Sequence, residues 1–173
     1  MNIEDYFRIR GTYELKDGVY NVKGSIMLIK DVYKLPVKFG TVSDNFYCSN
    51  NNLTSLEGAP KQVGQSFEVF QNNLTSLEGA PQSVGSFHCS DNKLTSLEWA
   101  PKKVCLNFDC SNNNLTSLEG SPKRIGGHFI CSRNNLTSLE CAPTQIGGNF
   151  CCDDNLYNTK EYRQYLILKK LRS

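Results

Sequence analysis

A phenylalanine returns at a nearly constant step along this chain. Phe46, Phe67, Phe87, Phe108, Phe129 and Phe150 are separated by 21, 20, 21, 21 and 21 residues. After each of the first five, Leu-Thr-Ser-Leu-Glu begins seven residues on, at Leu53, Leu74, Leu94, Leu115 and Leu136. A period near 21 is too short for a globular unit to close its own core. Each repeat must instead be one coil that buries its apolar side against the next, so the chain is expected to fold as a solenoid.

Each slot of the repeat has a physical reason. Phe and the residue two further on (Cys48, Val69, Cys89, Cys110, Cys131, Cys152) point to one face of a short strand and enter the coil, while the residue between them faces out. An asparagine follows at 51, 72, 92, 113, 134 and 155. It stands where the chain leaves the strand, and its amide is placed to satisfy backbone groups of its own and the adjacent coil. Leu-x-x-Leu adds two more core residues, and Pro with Gly turns the chain back. About a dozen residues connect the asparagine to the next strand, so the convex side is expected to be extended or 3₁₀ rather than α-helical.

The third copy, Val84-Gly-Ser-Phe87-His-Cys89-Ser-Asp-Asn92-Lys-Leu94, resembles the conserved segment of leucine-rich repeats, with Phe and Cys in its two central apolar slots. The downstream Leu-Thr-Ser-Leu-Glu is similar to the short bacterial type of repeat. The whole phrase resembles repeat proteins of large tailed bacteriophages, over roughly residues 26 to 157. The resemblance implies parallel strands on a concave face. It also implies a viral protein that blocks or redirects a bacterial host protein, such as a defence component, in the host cytoplasm.

The eight cysteines fit this scheme better than a disulfide framework. Five of them share the inward slot that Val69 fills in the second copy, which asks only for a small apolar side chain. Thiols in one column do not converge on a tetrahedral metal, and no Cys-x-x-Cys pair occurs. Inert core thiols, no metal and no cofactor are the expectation. The net charge of +2 gives no field that calls for nucleic acid, and the longest apolar run, Ile26 to Ile29, is too short for a bilayer. Charges near the N-terminus stand where a signal peptide has its apolar core, so a cytoplasmic protein is expected.

The ends depart from the repeat. Residues 12 to 23 read as a hairpin about Asp17-Gly18, which places a β-hairpin cap at 1–25. Ile26-Met27-Leu28 lines up with the Phe and Cys slots as a worn first repeat, so about seven coils are expected over 26–157. Asn158 with Glu161 predicts a capping helix over 158–173, whose Tyr162, Tyr165 and Leu166 cover the last coil.

In a solenoid the repeated residues build the scaffold, and the unrepeated outward ones specify a partner. Those residues are Tyr47, Glu68, His88, Asp109 and Ile130 on the strands, with Phe70 and Arg133 just beyond. Aromatics beside charges fit a protein-binding surface, and the acidic lean disfavours nucleic acid. Catalysis would need a nucleophile, and Cys151 falls three coils from His88, so no enzyme is expected. Trp99 stands where other copies carry glycine or cysteine. With Cys105 and Leu106 it suggests a second apolar contact, which keeps open a self-associating assembly protein as the alternative.

Overall fold

In a computed structural model the chain forms a parallel β-solenoid of about six turns with little helix; residues 2–153, 156–157 and 159–171 are described. A 3₁₀ turn at Ile3–Asp5 leads into the antiparallel hairpin of β1 (Phe7–Lys16) and β2 (Val19–Leu28). Asp17 and Gly18 both take positive φ, 52° and 75°, as a two-residue turn matched to strand twist requires. The hairpin is longer than its sequence suggests. Gly11 and Gly24, which look like strand ends, lie opposite each other within it, and a Cβ on Gly11 would come within 2.0 Å of the Lys23 carbonyl oxygen.

β2 also serves as the first rung of the stack. Its Val19–Val22 half pairs in parallel with β3 (Lys38–Val42), and Ile26–Met27 pairs with β4 (Phe46–Tyr47). From there each coil supplies two strand segments rather than the single one the sequence suggests. They run continuously as β5 (Gln62–Glu68) and β6 (Ser83–His88). They separate into β7 (Lys103–Val104) and β8 (Phe108–Asp109), β9 (Arg124–Ile125) and β10 (Phe129–Ile130), and β11 (Gln145–Ile146) and β12 (Phe150–Cys151). One ladder joins Val42, Val63, Val84, Val104, Ile125 and Ile146. The other joins Ile26, Phe46, Phe67, Phe87, Phe108, Phe129 and Phe150. The extra ladder follows from β-branched residues in a buried slot, which suit a pleated, half-covered surface. The glycine after Val63, Val84, Ile125 and Ile146 lets the coils close up: a Cβ on Gly126 would stand 1.8 Å from the Cys105 carbonyl oxygen.

Phenylalanine rings stack along the axis of the core. Phe46 and Phe67 lie parallel at 5.2 Å, and Phe67 and Phe87 at 5.5 Å. The column reaches Phe39 and Phe7 at one end through edge-on contacts. At the other end, Tyr162 and Tyr165 of helix α1 (Lys160–Lys170) stand 5.8 and 5.3 Å from Phe150. The Tyr165 hydroxyl donates to the Gly148 carbonyl at 3.1 Å. Asn158, expected as the helix N-cap, lies outside the described residues, as does Asn155. Between the strands the convex side is turns and extended chain. No helix among the described residues is long and apolar enough to cross a membrane.

Candidate functional site: the outward strand column

Polar ladders fix the register on which the outward residues depend. Asn72 accepts the Leu53 N–H at Oδ1 (2.9 Å), and its Nδ2 donates to the carbonyls of Cys48 (2.8 Å), Val69 (3.1 Å) and Phe70 (3.3 Å). Asn92, Asn113 and Asn134 repeat this bridge between coils, and Asn51 accepts the Val32 N–H at the first one. One amide thereby satisfies two coils at the point where the ladder of strand bonds ends. Ser55, Ser76, Ser96, Ser117 and Ser138 each accept the N–H of the glutamate two residues on, which explains the serine in every Leu-Thr-Ser-Leu-Glu.

A further ladder precedes each phenylalanine. Asn45 accepts the Ser66 N–H (3.0 Å), Asn107 that of His128 (2.9 Å), and His128 Nδ1 that of Asn149 (2.9 Å). His128 therefore acts through its Nδ1 as a structural acceptor.

On this frame the residue after each phenylalanine forms one in-register column, Met27–Tyr47–Glu68–His88–Asp109–Ile130–Cys151. Adjacent members are one strand apart, about 4.8 Å. The column thus brings together Tyr47, Glu68, His88, Asp109 and Ile130, all half-buried. Met27, 43% exposed, heads the same column and was missed as a surface residue. The signal was present, because Met27 follows Ile26 as Tyr47 follows Phe46. Phe70 lies just beyond the strand and is half-buried.

Two acidic residues are partly engaged by the scaffold. Asp109 Oδ1 accepts from the Ser111 N–H (2.9 Å) and hydroxyl (2.6 Å), and Asp153 accepts the Arg133 N–H at 2.6 Å. Arg133 is exposed and adopts φ 57°. Asn50, Gln71, Asp91 and Asn112 hold the same left-handed position in the other coils, with φ between 52° and 54°. Asn and Asp tolerate this conformation by bonding locally, whereas Gln and Arg have no such relief.

Trp99 is not part of the column. It occupies the turn after Leu-Glu, where Gly58, Gly79 and Gly120 take φ near 88°, and it holds φ 70° with 56% exposure. It lines a flank groove of about 980 Å³ with Glu57, Glu78, Lys61 and Lys102. Cys105, expected to share an apolar patch with it, lines a different depression with Val63, Gly64 and Gly85.

The cysteine column is core. Cys48, Cys89, Cys110 and Cys131 are buried free thiols, and burial pushes all four far above the ordinary thiol range. For Cys89 the neighbouring Asp109 charge adds to the effect. Cys105 and Cys141 are exposed.

No family model matches the chain, and neither a curated protein nor a solved structure matches it. The reading of function therefore rests on the column and its frame.

Proposed function

We propose that this chain is a leucine-rich-repeat solenoid, with the hairpin and helix α1 as its caps, and that it works as a non-catalytic protein-binding module. One observation carries the reading. The invariant slots are spent on core and polar ladders, while the single outward strand slot holds Tyr47, Glu68, His88, Asp109 and Ile130 side by side. A rigid row of aromatic, acidic, basic and aliphatic groups suits a folded protein surface, since anchors held in place lose little entropy on binding.

The chemistry of the row favours binding over reaction. His88 lies between Glu68 and Asp109, and the Cys151 thiol is three rungs away. The acidic groups disfavour a nucleic-acid backbone. Resemblance to phage repeat proteins directs the search to a bacterial cytoplasmic protein, which binding would block or redirect.

The test is affinity capture from bacterial lysate with the native chain and with a Tyr47→Ala/Phe70→Ala/Ile130→Ala bait. The reading expects one stoichiometric protein, lost with the altered bait. Equal recovery by both baits, or none by either, would refute it. Self-association is the second reading, and the free edge of β1 favours it.

A further inference from the structure

The two ends of the stack differ. At the C-terminal end, Phe150 is covered by Tyr162 and Tyr165 of α1. At the N-terminal end, β1 is the outermost strand of the sheet, and among the described residues its ten residues pair only on the β2 side. Residues 10 to 16 of β1 are all exposed. Long exposed edges with unpaired backbone groups are sites where another strand adds.

The direction of those backbone groups follows from the hairpin. A two-residue turn makes Lys16 and Val19 a hydrogen-bonded pair, and such pairs then alternate along an antiparallel ladder. Even-numbered residues of β1 therefore bond to β2. The Ile29 N–H donating to the Tyr6 carbonyl at 2.9 Å continues that parity. Phe7, Ile9, Gly11, Tyr13 and Leu15 consequently aim their N–H and C=O groups at the open edge.

The same odd residues carry the core face past the last covered position. They pair with Leu28, Ile26, Gly24, Val22 and Tyr20, all on the inner side of the sheet. Phe7 is buried, but Tyr13 is 42% and Leu15 54% exposed.

We propose that the occupant of this edge is the β1 strand of a second copy, antiparallel about Gly11, so that the two solenoids join head to head in one continuous sheet. The sequence of β1 is complementary to its own reverse in this register. Arg8 faces Glu14 of the second copy, and the reciprocal pair forms across the twofold axis. Glu14 also lies diagonal to Arg10 of that copy, within reach of a long side chain. On the inner face, Ile9 meets Tyr13 and Phe7 meets Leu15 of the second copy, covering the two exposed apolar residues. No like charges stand directly opposite. An isologous contact of this kind closes at two copies, because the other end of each stack is covered by α1.

The test is sedimentation equilibrium of the full chain over a wide concentration range, with folding checked by circular dichroism. The proposal expects a monomer–dimer equilibrium. Glu14→Arg and, separately, Leu15→Lys should each raise the dimer Kd at least about tenfold, one by opposing like charges and the other by placing a charge on the inner edge. Arg8→Glu combined with Glu14→Arg should dimerise more tightly than Glu14→Arg alone, since it restores the directly opposed pair, with the diagonal to Arg10 remaining unfavourable. A chain that stays monomeric, assembles without limit, or dimerises equally in both single variants would overturn the proposal. Failure of the double variant to dimerise more tightly than Glu14→Arg would overturn the register about Gly11. Capture of an extended segment of another protein by a monomeric chain would assign the edge to that partner instead.

Discussion

Asn72 holds Leu53 in place across the coil boundary: its Oδ1 accepts the Leu53 N–H at 2.9 Å from nineteen residues further along the chain. Both residues are buried, so neither polar atom has water as an alternative. The same geometry recurs between Asn92 and Leu74 and between Asn113 and Leu94, so the register of the whole outward column depends on these amides.

Replacing Asn92 with Leu tests that dependence. The Leu74 N–H would lose its partner inside the core, while the Val69 carbonyl would keep the Asn72 amide. The expected cost is about 1–3 kcal/mol, read as a lower urea midpoint, which is the penalty for one orphaned buried group. Asn92→Asp should not rescue it. The carboxylate keeps the acceptor but turns a second charge-bearing oxygen toward carbonyls that need a donor.

The asparagine slot was legible in the sequence because one residue type recurs at one spacing, and a short side-chain amide carries an acceptor oxygen and two donor hydrogens on separate atoms. The ladder before the phenylalanines was not. Ser25, Asn45, Ser86, Asn107 and His128 all accept a backbone N–H but are of three residue types, so no single residue marks the slot. The second strand ladder was hidden for a different reason. Segments such as Arg124–Ile125 are two residues long and have no period to detect. Within the candidate site, the outward column could be placed from spacing alone. The engagement of Asp109 with Ser111, and the separation of Trp99 from Cys105, needed three dimensions.

Left-handed positions give a second prediction. Gln71 at φ 52° and Arg133 at φ 57° occupy a slot where Asn50 and Asn112 hold the same conformation. Gln71→Asn is expected to stabilise the chain by about 0.5–1 kcal/mol in thermal or urea unfolding. Trp99→Gly, which restores the residue found in the equivalent turns, should also stabilise by about 1 kcal/mol. It should leave partner capture through the strand column unchanged.

The thiol column predicts a pH dependence. Burial raises the folded-state values of Cys48, Cys89, Cys110 and Cys131 above those of the unfolded chain. Their contribution is therefore complete below the unfolded thiol value of about 8.5 and is lost as pH rises beyond it, because the unfolded chain releases protons that the folded one retains. Urea midpoints should be insensitive to these groups between neutrality and about pH 8 and fall steeply above about pH 9. Each thiol adds about 1.4 kcal/mol per pH unit to the slope in that window. Cys89→Val, which copies the native Val69 of the neighbouring coil, should reduce the slope by one thiol's share. A slope unchanged by this substitution would refute the assignment.

Site-specific photocrosslinking in bacterial cells tests the binding account most directly. A benzophenone side chain would be placed in turn at Glu68 and His88 in the column, and at Glu78 and Trp99 on the flank groove. The account predicts one heterologous protein crosslinked from Glu68 and His88, and absent from the two flank positions. Crosslinks confined to Glu78 and Trp99 would contradict it, and would move the partner to the flank groove.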